Sequence, residues 1–236
     1  AFLIAGREGR AERPFALSWR GDALVAQPLA PLPEPLQQVQ ATVLGDTLYV
    51  AALSADGHPR LLALPQAGAS GRANWQSMTA WPGGGAPVTL AAQRSGLYLT
   101  SADGRMRRWM ADGGWTDRGP LPGALQAGVA RSIGQAHILY LGRGAPGAPA
   151  ELRLFHTITD AWAPLPATLK GAPRLATCWR NGLLWASGDG AQLRLHSESL
   201  RSGQHLLHWV DWLVIVVYLV AMLGIGGYFY LRGQKG

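Results

Sequence analysis

Apolar and polar residues alternate in short runs along most of the chain, and the pattern changes only near the end, where one apolar run is unbroken. Four stretches of the first part share one shape: a short apolar strand, a tight turn and a second strand. In chain order they read VQATVLGDTLYVAAL, VTLAAQRSGLYLTSA, AGVARSIGQAHILYLGR and RLATCWRNGLLWASGD. Gly and Asn supply the positive φ that hairpin turns require, so the predicted turns are Gly45-Asp46, Ser95-Gly96, Gly134-Gln135 and Asn181-Gly182. They recur about every 40 to 50 residues, an interval typical of four-stranded propeller blades.

A second element lies between these hairpins, a tryptophan followed by a proline-containing segment. The tryptophans are Trp19, Trp75, Trp115 and Trp162. A large flat ring at a fixed place in each blade is expected to pack against the next blade, and the prolines are expected to end the outer strand.

The repeats divide the first part of the chain into partial and complete blades. Complete blades are predicted at residues 39–87, 88–126 and 127–173, with the later strands of one blade at 1–38 and the inner strands of another at 174–203. Closed propellers have about 4–8 blades, so further pieces are expected to precede residue 1. The predicted fold class is therefore an all-β propeller of four-stranded blades, incomplete in this sequence, plus one C-terminal transmembrane helix.

The apolar run from Trp212 to Leu231 contains no charged residue. About 20 helical residues at roughly 1.5 Å each cover the roughly 30 Å hydrocarbon core of a bilayer. A buried core helix is the alternative, but such helices usually carry a polar face. The sequence therefore predicts a linker at residues 204–209, a transmembrane helix at 210–232 and a cytoplasmic end at 233–236.

Residues at the two ends of this run predict its orientation. Aromatic residues flank it, as is usual at membrane interfaces, and Arg232 and Lys235 follow it, which places the C-terminus in the cytoplasm. The propeller is then extracytoplasmic, or periplasmic, and an upstream export signal is expected. Gly224–Gly227 reads GIGG, which allows another helix to approach closely, as in a polytopic bundle. Asp211 suits the positive end of the helix dipole.

Charge and cysteine content exclude several classes of function. Lys and Arg number 21 against 14 Asp and Glu, but the arginines are spread evenly, whereas a nucleic-acid binder would cluster them. No nucleic-acid partner is predicted. The single cysteine, Cys178, permits no intrachain disulfide, and no metal framework is predicted. His205 and His208 lie three residues apart, but they lack a third ligand and are interpreted as interfacial residues.

The propeller pattern resembles kelch repeats, in which a hairpin, a glycine doublet and a tryptophan before Leu-Pro recur. The best single match is FHTITDAWAPLP, Phe155–Pro166. The doublets are degraded here to Ala5-Gly6, Ala51-Ala52, Gly142-Arg143 and Ser187-Gly188. This departure favours a propeller that is not catalytic.

The C-terminal stretch DWLVIVVYLVAMLGIGGYF resembles the first helix of the sodium:solute symporter family. A kelch propeller ahead of such a helix is similar to bacterial fusions whose propeller resembles circularly permuted sialic acid mutarotases, also called N-acetylneuraminate epimerases. The resemblance implies the bacterial inner membrane, with the lipid bilayer and the remaining transporter helices as partners. It implies sodium coupling on later helices and no cofactor within this sequence.

A sugar-binding propeller uses polar loop residues around its central opening, so we expect ligand contacts in the loops after each second strand. Arg can hold a sugar carboxylate bidentately, and Glu8 or His58 could move a proton at an anomeric hydroxyl. The alternative is that all of these are ordinary solvated turn residues. The catalytic candidates are Glu8 and Arg7, and the ligand-binding candidates are Arg10, Asp56, His58, Asp103, Arg105, Arg143 and, in the last such loop, Asp189.

Three functions remain open from the sequence. The first is the N-terminal part of a sodium:solute symporter whose propeller binds, or formerly epimerised, an acidic sugar such as sialic acid. The second is an active membrane-tethered sugar mutarotase. The third is a single-span propeller that serves as a protein-interaction module.

Overall fold

The computed structural model describes residues 2–65, 74–144, 150–169, 173–179, 182–188, 192–199 and 209–233. Asp189, Asn181, His205, His208 and Lys235 lie outside the described residues. The chain divides into two compact units, Ala1–Ser199 and Leu200–Gly236. In the described part, the first unit contains antiparallel sheets and the second contains one helix.

The described strands form five antiparallel sheets, which we number as blades 1 to 5 in chain order. Blade 1 has β1 (Phe2–Arg7), β2 (Arg10–Arg20) and β3 (Ala23–Pro28), and blade 2 has β4 (Gln37–Leu44), β5 (Thr47–Leu53), β6 (Pro59–Leu64) and β7 (Gln76–Met78). Blade 3 has β8 (Pro87–Gln93), β9 (Gly96–Ser101), β10 (Arg105–Met110) and β11 (Gly114–Pro120). Blade 4 has β12 (Leu125–Ile133), β13 (His137–Gly142), β14 (Glu151–His156) and β15 (Ala161–Thr168), and blade 5 has β16 (Pro173–Trp179), β17 (Gly182–Ser187) and β18 (Arg194–Ser199).

The arrangement of the sheets is that of a β-propeller, as predicted. Strands within each blade are hydrogen-bonded in chain order. The first strands β4, β8, β12 and β16 contact one another in succession, so they are the inner strands. β1 is equivalent to the second strands of the other blades, since its sequence and the turn that follows match theirs. In the described part, blade 1 thus holds second to fourth strands and blade 5 holds first to third strands.

The core consists of apolar layers between neighbouring blades. In β9, Leu97 and Leu99 pack towards blade 2, whereas Tyr98 packs towards blade 4. Because successive side chains of a strand point to opposite faces, a strand buried on both sides must be apolar at every position. This explains why the strands appear in the sequence as short continuous apolar runs.

Three of the four repeated tryptophans pack against the preceding blade, so the prediction that they pack against the next blade is wrong. Trp75 donates its indole N–H to the carbonyl of Ala30, 3.1 Å away, and Trp115 donates to Thr79 at 2.7 Å. Trp162 packs into the core layer between blades 3 and 4. All three lie at or just before the start of a fourth strand, from which the ring reaches back.

Trp19 differs from the other three. It lies on β2, which corresponds to the third strand of a complete blade, and it is 68% exposed. The hairpin turn at Gly21 follows it almost at once, so it ends a third strand and does not begin a fourth.

Two glycines that were predicted to lie in turns, Gly96 and Gly182, are the first residues of strands instead. Gln93 pairs with Gly96, so the turn residues are Arg94 and Ser95, and Arg94 takes a φ of 54°. Gly96 already belongs to β9, where a Cβ would lie 3.3 Å from the carbonyl oxygen of Trp109. Gly96 therefore allows the two strands to approach closely, and it is not one of the turn residues. The turn at Gly45, with a φ of 64°, forms where it was predicted.

The helix of the second unit, α1 (Trp209–Gly233), confirms the predicted C-terminal apolar helix. Its segment Trp209–Tyr228 has a mean hydropathy of 2.1 and none of it is buried in the protein. The helix is long and apolar enough to cross a membrane. Asp211 lies in its first turn and Arg232 in its last, and Arg232 donates to the hydroxyl of Tyr228 at 3.0 Å.

Candidate functional site

The loops that carry the predicted site residues lie at one end of the propeller, which we call the loop face. In an antiparallel blade, the loop from second to third strand and the connection from fourth strand to the next blade emerge at the same end. The described loops of the loop face are residues 7–10, 54–58, 101–105 and 142–144, and its connections are 29–36, 79–86 and 121–124. An ion pair of 2.7 Å between Arg60 and Glu34 joins a third strand to such a connection.

Arg7 and Arg10 face each other across the turn of blade 1. They are paired residues of β1 and β2, and the two residues between them, Glu8 and Gly9, have φ angles of 52° and 75°. Two positive φ angles in succession match a type I′ hairpin turn. Glu8 thus occupies a left-handed conformation that non-glycine residues adopt uncommonly, and its side chain is exposed.

The two guanidinium groups beside this turn are not neutralised by any described residue. Both arginines are exposed, and like charges directly opposite each other on a sheet repel. A bound anion would remove that repulsion. The turn of blade 1 therefore favours an anionic ligand.

Gly6 allows the chain to bend just before this turn. The strand register shifts between Ala5 and Gly6, and a Cβ on Gly6 would overlap the carbonyl oxygen of Arg10. Beside the bend lies a shallow cleft of about 400 Å³ lined in part by Arg7, Arg13 and Phe15.

The loop of blade 2 exposes Asp56 and His58 on a fixed backbone. Buried Ser54 accepts the backbone N–H of His58 on its hydroxyl at 3.1 Å, and its own N–H donates to the carbonyl of His58 at 2.9 Å. The side chains of Asp56 and His58 are exposed and have no partner in the described part of the chain. They remain available to a ligand.

In blade 3, Asp103 is held in an ion pair. Arg107, only 6% exposed, places its Nη2 2.5 Å from Asp103 Oδ2 and donates through Nη1 to the hydroxyl of Ser101. Hydrogen bonding by Arg107 is the main cause that lowers the pKa of Asp103 to about 2. Gly83 leaves room for this pair, since a Cβ there would lie 2.7 Å from Arg107 Nη2.

Arg105, on the same loop, is paired as well. Its guanidinium donates twice to Asp117 Oδ2, at 2.9 and 2.5 Å. The backbone N–H of Gly119 and then Arg105 lower the pKa of Asp117. Neither Asp103 nor Arg105 is therefore as available to a ligand as the residues of blades 1 and 2.

The loop of blade 4 contributes Arg143. Its backbone N–H donates to the carbonyl of Ala124 at 2.8 Å, while its side chain is exposed and unpaired among the described residues. The structure thus places all the described candidates on one face. Those left without a partner among the described residues are Arg7, Glu8, Arg10, Asp56, His58 and Arg143.

Sequence reasoning missed the serines that end second strands and hold these loops. Ser54 and Ser101 do so through the contacts given above, and in blade 5 Ser187 forms a hydrogen bond of 2.8 Å with His196 Nε2. All three serines are buried. A serine after the apolar part of three of the five second strands, in blades 2, 3 and 5, is the signal that would have identified them. In the described part of the chain no three metal-ligating side chains come together.

Neither the comparison with protein-family models nor that with curated proteins gave a match to this chain. What the site can do therefore follows from its own chemistry. The three guanidinium groups without a partner among the described residues can bind carboxylates, and the exposed Glu, Asp and His side chains can form hydrogen bonds with hydroxyl groups. The combination suits a small hydroxylated anion.

Proposed function

We propose that the chain is the N-terminal part of a membrane transporter of the sodium:solute symporter type, with an extracytoplasmic kelch-like propeller that binds an acidic sugar such as sialic acid. The observation that carries this proposal is the joining of two features in one chain. A propeller whose loop face has arginines without a partner among the described residues is followed by an apolar helix whose segment Trp209–Tyr228 is not buried.

The helix supports the membrane part of the proposal. Trp209 and Trp212 at its start and Tyr228 and Tyr230 near its end suit the two interfaces, and Arg232 suits the cytoplasmic side. Within this unit nothing lies within 4 Å of a Cβ added at Gly224, Gly226 or Gly227. That surface is open to a neighbouring helix, as a transport bundle requires.

The loop face supports the ligand part of the proposal. A sialic acid carries one carboxylate and several hydroxyl groups. Arg7 and Arg10 form a cation pair that a carboxylate would neutralise, and Arg143 offers a third guanidinium on the same face. Capture of the solute by the propeller would raise its concentration next to the membrane.

The test is uptake of radiolabelled N-acetylneuraminate by membrane vesicles that contain the full-length protein. We expect uptake when an inward sodium gradient is present and none when choline replaces sodium. The double substitution Arg7→Ala and Arg10→Ala is expected to raise the KM about tenfold, because charge-assisted hydrogen bonds of about 1.5 kcal/mol are lost.

Arg20→Ala is the matched control, since Arg20 is also exposed on blade 1 but lies at the opposite end of the propeller. It should leave uptake unchanged. Absence of sodium-dependent uptake of any acidic sugar would contradict the transporter. Uptake that the double substitution leaves unaltered would contradict the role of the propeller.

An active mutarotase is the second candidate, and the position of Glu8 favours it. The carboxylate is exposed at the tip of the turn between two arginines and has no described partner. Magnetic-resonance exchange measurements of N-acetylneuraminate anomers would decide. Catalysis that is lost in Glu8→Gln but kept in Asp22→Asn, an exposed acidic residue at the opposite end of blade 1, would support the enzyme.

A further inference from the structure

Two blade surfaces of the propeller leave large apolar side chains exposed. On blade 1, Leu3, Trp19 and Leu24 are 50%, 68% and 56% exposed. On blade 5, Leu175 and Leu195 are 69% and 74% exposed. Apolar patches of this kind on a folded protein mark surfaces that another element covers.

Both surfaces point away from the neighbouring described blade. In β1, Phe2 and Ile4 pack onto blade 2, so Leu3 between them points to the other side. In β16, Cys178 contacts the carbonyl of Ala130 in blade 4, and Leu175, three residues earlier, lies on the opposite side. These are the outward sides of the first and last described blades.

The same sides of the middle blades are covered. Leu48 and Val50 of blade 2, which face blade 1, are 1% and 0% exposed. Leu139 and Leu141 of blade 4 lie on the opposite side of β13 from the layer shared with blade 3, and they are fully buried. A blade side that carries such residues is therefore covered by the next sheet of the ring wherever one is present.

A recurring arginine identifies what faces blade 1. Arg13, Arg60, Arg107 and Arg153 follow one another at nearly equal intervals, each on a third strand. Three of them reach the connection that arrives from the preceding blade. Arg60 pairs with Glu34, Arg107 closely approaches Gly83, and a Cβ added at Gly123 would lie 3.3 Å from Arg153 Nη1. Arg13 is exposed and has no partner in the described part of the chain.

The strand edges agree with this pattern. In the described residues β1 lies at the edge of its sheet, whereas the second strands β5, β9, β13 and β17 are each flanked by a first strand. β18 also lies at an edge, whereas the third strands β6, β10 and β14 are flanked by a fourth. Unpaired strand edges bind further strands.

We propose that one further sheet of the same polypeptide fills the gap between the outward sides of blades 1 and 5. It buries the apolar residues of both sides, and its connection presents a carboxylate or carbonyl oxygen to Arg13. A second copy of the chain does not fit, because five more blades would exceed the about 4–8 blades of known propellers.

Single cysteines test this proposal. In a Cys178→Ser background, Leu3→Cys, Leu195→Cys and the control Ile158→Cys are compared, Ile158 being 62% exposed on a turn of blade 4. The rate of labelling by a membrane-impermeant maleimide is measured for the full-length protein in its membrane and for the 236-residue chain.

We expect Leu3→Cys and Leu195→Cys to react at least about tenfold more slowly than the control in the full-length protein, because labelling of a covered site requires local opening. In the 236-residue chain all three should react at similar rates. Equal rates in the full-length protein would overturn the proposal. A disulfide between Leu3→Cys and Leu195→Cys in differently tagged copies would also overturn it, in favour of a second copy. Since the measurement is accessibility, its outcome is independent of transport and sugar binding.

Discussion

The turns of blades 1 and 3 share an acidic residue, a glycine and an arginine in succession, but these residues make different contacts. Blade 1 has GREGR, in which Arg7 and Arg10 are exposed and unpaired among the described residues. Blade 3 has SADGR, in which Asp103 and Arg105 are both held in ion pairs. The ion-pair partners of Asp103 and Arg105, which are Arg107 and Asp117, lie outside the motif. An exposed charge in a propeller loop is therefore a ligand candidate only after its neighbours are known.

The largest effect on stability is expected for the turn of blade 3, whose charged residues are held in ion pairs. Arg107→Ala should lower the free energy of unfolding by about 2 kcal/mol, because a buried guanidinium and its charge-assisted hydrogen bonds to Asp103 and Ser101 are lost. Urea unfolding followed by tryptophan fluorescence measures it. Arg10→Ala is the control and should change stability by less than about 0.5 kcal/mol, as exposed substitutions usually do. Similar losses for both variants would show that the two turns do not differ.

An effect of intermediate size is expected in the pH dependence of the free energy of unfolding. Since hydrogen bonding lowers the folded pKa of Asp103 to about 2 from 3.8, its contribution is complete above pH 3.8 and is lost as the pH falls towards 2. Asp103→Asn should remove this dependence, worth on the order of 1 kcal/mol after solvent screening. Unfolding measured at steps from pH 5 to pH 2 tests it. A pH dependence of stability that is the same in Asp103→Asn as in the unsubstituted protein would contradict the assignment.

Local patterns predicted the fold well. Short apolar runs bounded by glycine turns predicted the strands, and one unbroken apolar run predicted α1, because each signal depends on neighbours in sequence. The predictions that failed depend on residues far apart in the chain. Gly96 was assigned to a turn because its close approach to Trp109 on the next strand is not visible locally.

The candidate site shows the same limit. Its residues were predicted to share one face because antiparallel topology brings every loop of this kind to one end. The sequence did not predict which of these side chains lack an ion-pair partner among the described residues. Asp103 is held by Arg107, beside space that Gly83 leaves open, and Arg105 is held by Asp117 on the next strand. Nothing in the motif SADGR indicates these partners.

The smallest effect is expected for the turn of blade 1, whose arginines have no partner among the described residues. Arg10→Ala removes a like charge that lies directly opposite Arg7, so any change should be a gain in stability, of at most about 0.5 kcal/mol. The gain should shrink as salt rises from about 0.01 M to about 1 M, because the Debye length falls from about 30 Å to about 3 Å. Urea unfolding at the two salt concentrations measures it, with Arg20→Ala as an exposed control without a facing arginine. A loss of stability that persists at high salt would show that Arg10 has a structural partner, and blade 1 would then resemble blade 3.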